Sequence, residues 1–180
     1  MGHKHTREDL LAGALAATRD EGLSRLTFGR LAKRLGVSDR VIVYYFPTKD
    51  DLIGSVLVAI AGELQGALAD VVSDGLTGHG DLVKRAWPVL SSPEHDRVFA
   101  LFFEATGLAA AGLAPYDGVV PELVEAWIQW AASMLDGAAG EEARRAEAEA
   151  SIALVDGLLL LRQLRGVEVA DRAAAALGVS

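Results

Sequence analysis

The sequence has 180 residues and no cysteine, so disulfides and thiolate chemistry are excluded. Hydrophobic residues make up 51% and charged residues 23%, a composition typical of a globular protein and not of a disordered one. The formal net charge is −8, which taken alone argues against a nucleic-acid partner. The first ten residues lack the apolar core of a signal peptide, so a cytoplasmic protein is expected.

Charge is distributed unevenly along the chain. Residues 1–50 contain nine lysines and arginines and six acidic residues, a net charge of +3. The remaining 130 residues contain eight basic and 19 acidic residues, a net charge of −11. A positive N-terminal part on a negative body predicts DNA binding in one orientation only, with the acidic body held away from the phosphates.

A first helix is predicted after Thr6, because acidic residues follow in its first turn and an apolar stripe then recurs at helical spacing. Gly22 is expected to end this helix. Two shorter helices follow within residues 27–49, so three helices share one small core. Pro47 stops the third helix, and Thr48 is expected to cap the next one.

The stretch 27–49 predicts two short helices joined by a tight turn. Leu31, Ala32 and Leu35 give the first helix an apolar face, and the small Ala32 permits a close crossing. Gly36 supplies the left-handed backbone that ends this helix, and the hydroxyl of Ser38 is expected to cap the second. The apolar side of the second helix consists of Val37, Ile42 and Tyr45. This is the layout of a helix-turn-helix, whose second helix can enter the major groove of DNA.

An ordinary helical hairpin in a core is the alternative interpretation of the same stretch. Two phenols at the end of the second helix argue against it, because Tyr44 and Tyr45 would lie where a phosphate backbone passes. The outer faces are also basic, with six cations in a span of 25 residues: Arg25, Arg30, Lys33, Arg34, Arg40 and Lys49. DNA binding is therefore the favoured interpretation.

The run from Leu10 to Leu52 resembles the DNA-binding domain of the TetR (tetracycline repressor-like) transcriptional regulators. The similarity lies in an apolar first helix ending in DEG, followed by LTFGRLAKRLGVS and then by YYFPTKDDL. In the second helix of the helix-turn-helix, this chain has the run Arg40 to Val43, RVIV, where many members carry a Gly-Thr-Leu-Tyr-like run. The resemblance implies an all-α protein with an N-terminal three-helix helix-turn-helix DNA-binding domain, residues 1–48. A long helix joins it to a C-terminal helical bundle for ligand binding and dimerisation, residues 49–180.

Helical patterns continue to the C-terminus, without a strand pattern of useful length. Pro88 is expected to kink or end the helix that contains it. The run 152–161 is apolar nearly all round, but ten residues with Asp156 among them cannot span a bilayer, so no membrane is expected. The predicted helices after residue 48 are 49–72, 81–90, one beginning at Pro93, 119–135, 141–165 and 171–177, with a loop at 73–80.

Specific DNA contacts are predicted from the outward face of the second helix-turn-helix helix. The candidates for base contacts are Asp39, Arg40, Val43 and Tyr44. Arg40 is expected to bind a guanine through two hydrogen bonds, and Val43 to contact a thymine methyl. A surface ion pair with a neighbouring aspartate, Asp39 or Asp50, is the alternative role for Arg40. The candidates for phosphate contacts are Thr27, Arg30, Tyr44, Tyr45 and Lys49.

Aromatic residues recur on two predicted helices of the C-terminal part. For any single ring, packing in a core is the favoured role. For the group, the family resemblance favours a ligand pocket, whose lining is predicted to be Trp87, Phe99, Phe103, Trp127 and Trp130. Such a lining suits a small apolar or aromatic ligand with one or two polar anchors.

A homodimer is predicted, because one recognition helix reads too few base pairs for a useful site. The surface offered is one side of the apolar run 152–161, and the small residues Ala153 and Gly157 permit a close helix crossing. The predicted interface consists of Ala153, Gly157, Leu158 and Leu161. The alternative is that this helix is simply central in the monomer.

The sequence thus predicts a ligand-responsive DNA-binding transcriptional regulator. The family resemblance implies a homodimeric repressor that a small apolar molecule releases from double-stranded operator DNA. The alternative is a DNA-binding architectural or protein-recruiting factor without a small-molecule ligand. An enzyme is disfavoured, because no phosphate loop, metal-ligand spacing or nucleophile motif is present. No cofactor or metal is expected.

Overall fold

The computed structural model describes residues 5–72, 75–136 and 140–179. These residues form an all-α fold, as predicted, with one isolated parallel bridge between Leu76 and Leu135. The α-helices in the described ranges are α1 Arg7–Glu21, α2 Phe28–Leu35, α3 Asp39–Tyr45, α4 Lys49–Leu68, α5 His79–Leu90, α6 Asp96–Ala110, α7 Tyr116–Ser133, α8 Glu141–Arg165 and α9 Val167–Ala176. A 3₁₀ turn, Pro93–His95, precedes α6.

Helices α1 to α4 begin and end close to the residues that the sequence indicated. Thr6 caps α1 through a reciprocal pair of hydrogen bonds with Asp9, 2.9 and 3.1 Å long. Thr48 and Asp51 form the same arrangement at the start of α4. Gly36 ends α2 with φ +66°, in the left-handed region. Ser38 occupies the N-cap position of α3, but the predicted hydrogen bond from a backbone N–H to its hydroxyl oxygen is wrong, because its side chain accepts no capping hydrogen bond.

The chain divides into two compact units, and the first contains the helix-turn-helix. This unit consists of residues up to Ala61 together with Ala100–Pro121. Its interior is apolar, since Leu10, Leu31, Ile42 and Phe46 are fully buried. Helices α1 and α2 approach closely at Gly13, where an added Cβ would lie 2.5 Å from a methyl carbon of Leu35. Helices α1 to α3, which we call the head, therefore share one closely packed core.

The second unit consists of residues 62–99 and 122–179 of the described chain. Arg162 on α8 is buried and donates two hydrogen bonds, 2.7 and 3.2 Å long, to the carboxylate of Asp96. Gln163 adds a hydrogen bond to the backbone carbonyl of Asp96, which fixes the start of α6 against α8. A buried guanidinium needs such a partner, because leaving it unpaired costs several kcal/mol. The predicted functional boundary at residue 48 stays a prediction.

Some helix boundaries differ from those predicted. Helix α4 ends at Leu68 and not at 72. Helix α5 begins at His79 because Glu147 on α8 accepts hydrogen bonds from its backbone N–H, at 2.7 Å, and from its ring. Pro88 does not end α5, which continues to Leu90. Because Pro88 is exposed, water can bind the carbonyl that the missing proline N–H leaves unpaired. Helix α7 begins at Tyr116 and α9 at Val167, each earlier than predicted.

Helix α4 is long and apolar enough to cross a membrane by length and composition alone. Buried helices of water-soluble proteins pass the same test. In the first unit its residues Leu52, Ile53 and Val56 are fully buried, and Leu57 is nearly so. This burial is the pattern of a core helix.

Candidate nucleic-acid interface and candidate ligand-binding residues

Helix α3 presents the outward face that the sequence predicted. Ile42 is fully buried against the head, whereas all four candidates for base contacts are exposed. Val43 is 42% and Tyr44 is 78% exposed. Asp39 and Arg40 lie in the first turn of the helix, where recognition helices contact base edges. Among the described residues, Arg40 forms no ion pair, so its guanidinium is available to a ligand on this face.

Two of the predicted cations are instead paired with acids near the end of α1. The guanidinium of Arg30 lies 3.2 Å from the carboxylate of Glu21. That of Arg34 lies 2.5 Å from Asp20. These pairs reduce the positive potential of the outer face of α2. Lys49, at the first position of α4, is exposed and has no ion pair within the described part of the chain.

Two of the predicted phosphate contacts already make hydrogen bonds within the head. The hydroxyl oxygen of Thr27 accepts the N–H of Arg30 at 3.3 Å, as the N-cap of α2. The hydroxyl of Tyr45 donates to the backbone carbonyl of His5 at 3.0 Å. Its half-buried ring packs edge-on against the exposed ring of Tyr44, with centroids 4.8 Å apart. Tyr45 therefore reaches a phosphate only by exchanging its bond to His5.

Arg7 braces the recognition helix, a role that the sequence did not reveal. Its guanidinium lies over the ring of Phe46, 4.9 Å from the centroid, directly after α3 ends. It also donates a hydrogen bond of 2.8 Å to the hydroxyl of Ser55 on α4. Arg7 thus links the start of α1 to the end of α3 and to α4. No spacing rule predicts this contact, because the three partners are far apart in the sequence.

The structure divides the five rings of the predicted ligand pocket between the two units. Phe103 is half-buried in the first unit, with its ring centroid 5.5 Å from that of Phe102. The other four lie in the second unit. Trp87 and Phe99 are buried there, whereas Trp127 and Trp130 are half-buried and pack edge to face at 5.3 Å. The pocket itself stays a prediction.

The second unit has a cleft of about 290 Å³ that is separate from the predicted ligand pocket. It is lined by α7 and the start of α8 through Ile128, Gln129, Ala132, Ser133, Glu141, Arg144 and Arg145, and by none of the five predicted rings. Arg145 donates hydrogen bonds of 2.7 and 2.8 Å to the two carboxylate oxygens of Glu125. This guanidinium and a hydrogen bond from Gln129 lower the pKa of Glu125 to about 2. Charged side chains therefore line part of the cleft.

One side of α8 is exposed and apolar, as the dimer prediction requires. Ala153 and Gly157 are exposed, and no atom lies within 4 Å of a Cβ built on Gly157. Leu161 is 37% exposed, but Leu158 is buried in the same unit, so its predicted place in the interface is wrong. Leu158 points inward because it lies about 100° around the helix from Gly157. The exposed face continues instead through Leu160, 42% exposed, and Leu164, 70% exposed.

In comparisons with known proteins, the N-terminal part of the chain matches relatives by sequence, and nearly the whole chain matches solved structures by fold. Residues 10–56 match the family described as bacterial regulatory proteins, tetR family. The HTH-type transcriptional regulator BetI 1 of Chromohalobacter salexigens is 40% identical over 63 residues, which cover 35% of this chain. The match spans about a third, 31%, of the length of that relative.

Solved structures are similar to nearly the whole chain. A transcriptional regulator from Rhodococcus sp. Rha1 has a TM-score of 0.73 at 21% identity, over 96% of this chain and 94% of its own. A regulator from Saccharomonospora viridis, solved in complex with choline, has a TM-score of 0.67 at 19% identity, over 96% and 93%. At these identities the structures show the shared fold alone. Residues 10–56 are thus similar to the tetR family of bacterial regulatory proteins, and nearly the whole chain shares its fold with solved transcriptional regulators.

Proposed function

We propose that this protein is a ligand-responsive transcriptional regulator: a homodimeric repressor that a small apolar molecule releases from operator DNA. The observation that carries the proposal is the outward face of α3, where Arg40, which has no ion-pair partner among the described residues, lies beside Val43 and Tyr44. In this role Arg40 binds a guanine, Val43 contacts a thymine methyl, and Lys49 binds a phosphate. Thr27, Arg30, Tyr44 and Tyr45 are the other proposed phosphate contacts.

Two substitutions test the DNA-binding part of the proposal. Arg40→Ala should weaken operator binding by about 1–3 kcal/mol and relax base preference at one position. Lys49→Ala should weaken binding to all duplexes similarly and reduce the salt slope by about one. Fluorescence anisotropy with specific and scrambled duplexes at several salt concentrations measures both. Arg34→Ala is the matched control, because Arg34 is already paired with Asp20. Unchanged operator selectivity in Arg40→Ala would rule out the base contact.

The exposed face of α8 supports a homodimer. Ala153 and Gly157 let two helices approach closely, and Leu160, Leu161 and Leu164 offer apolar area to a partner copy. A contiguous apolar face of this kind is uncommon on monomers. Two heads would then read half-sites about 34–36 Å apart on a palindromic operator.

The ligand part of the proposal rests on the aromatic residues. Trp127 and Trp130 form a half-buried pair, and Trp87, Phe99 and Phe103 are the other proposed lining residues. The likeness to a regulator solved with choline supports a small-molecule ligand, here proposed to be apolar or aromatic. The ligand releases DNA only if it binds the DNA-incompetent state more tightly, and about 1–3 kcal/mol of coupling is sufficient.

The protein acts in this proposal as a binding protein of the cytoplasm and not as an enzyme. Its partners are DNA, the ligand and a second copy of the chain, without a membrane or a cofactor. An architectural factor without a ligand is the competing hypothesis. A thermal-shift screen against apolar compounds, with and without operator DNA, distinguishes the two, because only a regulator has a ligand that opposes the stabilisation by DNA.

A further inference from the structure

Helix α3 is short, and it begins without a side-chain cap from Ser38. It has seven residues, fewer than the roughly 12–15 that an isolated helix needs to be stable in water. Helices α1 and α4, in contrast, each begin with a reciprocal pair of capping hydrogen bonds. The position of α3 therefore depends strongly on its contacts with the rest of the first unit.

Two contacts from the start of α1 hold the end of α3. The hydroxyl of Tyr45, the last residue of α3, donates a hydrogen bond of 3.0 Å to the backbone carbonyl of His5. The guanidinium of Arg7 lies 4.9 Å from the centroid of the fully buried ring of Phe46. The backbone N–H of Phe46 donates to the carbonyl of Ile42 at 2.9 Å. The ring that Arg7 covers is thus attached to the last turn of α3.

Arg7 is in turn attached to α4. Its guanidinium donates a hydrogen bond of 2.8 Å to the hydroxyl of Ser55. The neighbours of Ser55 in the helix, Ile53 and Val56, are fully buried, so this part of α4 belongs to the core of the first unit. Although Arg7 itself is exposed, it therefore connects the end of the recognition helix to a core helix.

We propose that Arg7 is a positioning residue for operator recognition: it binds neither base nor phosphate, and it holds α3 where Arg40 and Val43 reach the base edges. The inference rests on the proposed function and adds a residue that determines sequence selection. A base contact requires a side chain held to within about 0.5 Å, whereas phosphate contacts carry no sequence information and are made by long, flexible cations. Loosening the end of α3 therefore weakens binding to the operator more than binding to other duplexes.

Arg7→Ala tests this role with two duplexes: one selected from a random pool by the unmodified protein, and a scrambled version of it. Affinity for the selected duplex should fall about tenfold, as expected for the loss of a cation–π contact and a hydrogen bond. Affinity for the scrambled duplex and the salt slope should stay nearly unchanged, because no phosphate contact is removed. Fluorescence anisotropy at several salt concentrations, well below the Tm of both proteins, measures all three quantities.

Two outcomes of this measurement would overturn the proposal. Equal losses on both duplexes, with a salt slope reduced by about one as expected for Lys49→Ala, would show that Arg7 binds a phosphate. Unchanged affinity for the selected duplex would show that Arg7 contributes only to the stability of the fold. Arg34→Ala is the matched control and should keep the selectivity, because it removes a cation that is already paired with Asp20.

Ser55→Ala separates positioning from charge, and it also serves if Arg7→Ala is unstable. It removes the partner of Arg7 on α4 but leaves the guanidinium in place. Affinity for the selected duplex should fall about threefold. The double variant of Arg7→Ala and Ser55→Ala should bind no more weakly than Arg7→Ala alone, since both substitutions act through one contact. Additive losses, or a Ser55→Ala protein that binds like the unmodified one, contradict the proposal.

Hydrogen exchange distinguishes a local loosening of α3 from a general loss of stability. In Arg7→Ala, the amide of Phe46 should exchange faster. The amide of Leu31 on α2, which donates to Thr27 at 2.9 Å, should exchange as in the unmodified protein. Faster exchange at both amides is the result that a merely structural role predicts, and it would remove the inference. If the unmodified protein selects no duplex, the proposed function fails. If Arg7→Ala binds the selected duplex equally well, only this inference fails.

Discussion

Asp156 is a partly buried acid on α8 whose replacement should stabilise the protein. Burial alone raises the pKa of Asp156 to about 6, from its ordinary value of 3.8. Because the pKa is higher in the folded state, folding binds a proton, and stability is lost as pH rises from about 4 to about 6. The ionised carboxylate then destabilises the fold at neutral pH. Asp156→Asn removes this charge at nearly constant volume.

The size of the effect follows from the two pKa values. The raised pKa corresponds to about 3 kcal/mol at pH 7, and to less than about 1 kcal/mol at pH 4, where the carboxyl is protonated in the folded state and only partly ionised in the unfolded state. Asp156→Asn should therefore gain up to about 3 kcal/mol at pH 7 and almost nothing at pH 4. This is an upper limit, since the side chain is only partly buried.

Urea unfolding at pH 4, 5 and 7, monitored by circular dichroism, measures the gain directly. Glu168→Gln, at an exposed position of α9, is the control and should give no pH-dependent gain. A gain for Asp156→Asn that is equal at pH 4 and pH 7 would refute the reasoning, because a charge effect must vanish when the carboxyl is protonated. So would a loss of stability at pH 7.

Two further predictions concern assembly and ligand response. Gly157→Leu should separate the two α8 helices at the proposed crossing and shift sedimentation from dimer towards monomer. A substitution at the exposed Glu168 should have no such effect. If the unmodified protein sediments as a monomer at micromolar concentration, the proposed dimer is wrong. Trp127→Ala should abolish the effect of ligand on operator affinity while leaving operator binding nearly intact. Joint loss of stability, DNA binding and ligand response would instead show that Trp127 packs in the core.

The sequence predicts best what depends on neighbours in the chain. The ends of α1 and α2 follow from Gly22 and Gly36, and the start of α4 from Thr48, because caps are local hydrogen-bonding arrangements. The outward residues of α3 follow from helical periodicity once Ile42 is placed inward. The resemblance to the tetR family lies in the same short part of the chain, residues 10–56.

Features that depend on distant partners were not predictable. The sequence predicts a loop at His79, yet Glu147, 68 residues later, accepts hydrogen bonds from it and fixes it as the first residue of α5. The sequence predicts that Arg30 contacts a phosphate, but it does not predict the ion pair that Arg30 forms with Glu21. The contact of Glu104 with the end of α1 joins residues about 80 apart. Such contacts require the tertiary arrangement, which periodicity does not supply.

Leu158 shows the limit of a pattern that is apolar all round. Within the run 152–161 every position satisfies both a core and an interface, so the sequence does not say which leucines point outward. The structure buries Leu158 and exposes Leu160, Leu161 and Leu164. The choice between the alternatives is made by packing against the rest of the unit, and not by the local residue types.

The central claim is that two copies of this chain read DNA through α3. Selection of bound duplexes from a random pool by the purified full-length protein tests it most directly. We predict a palindromic site with half-sites whose centres are about 10 base pairs, or a multiple of one helical turn, apart, and a guanine in each half-site that Arg40→Ala no longer selects. Recovery of duplexes without any shared sequence, or of a site that Arg40→Ala selects unchanged, would contradict the account.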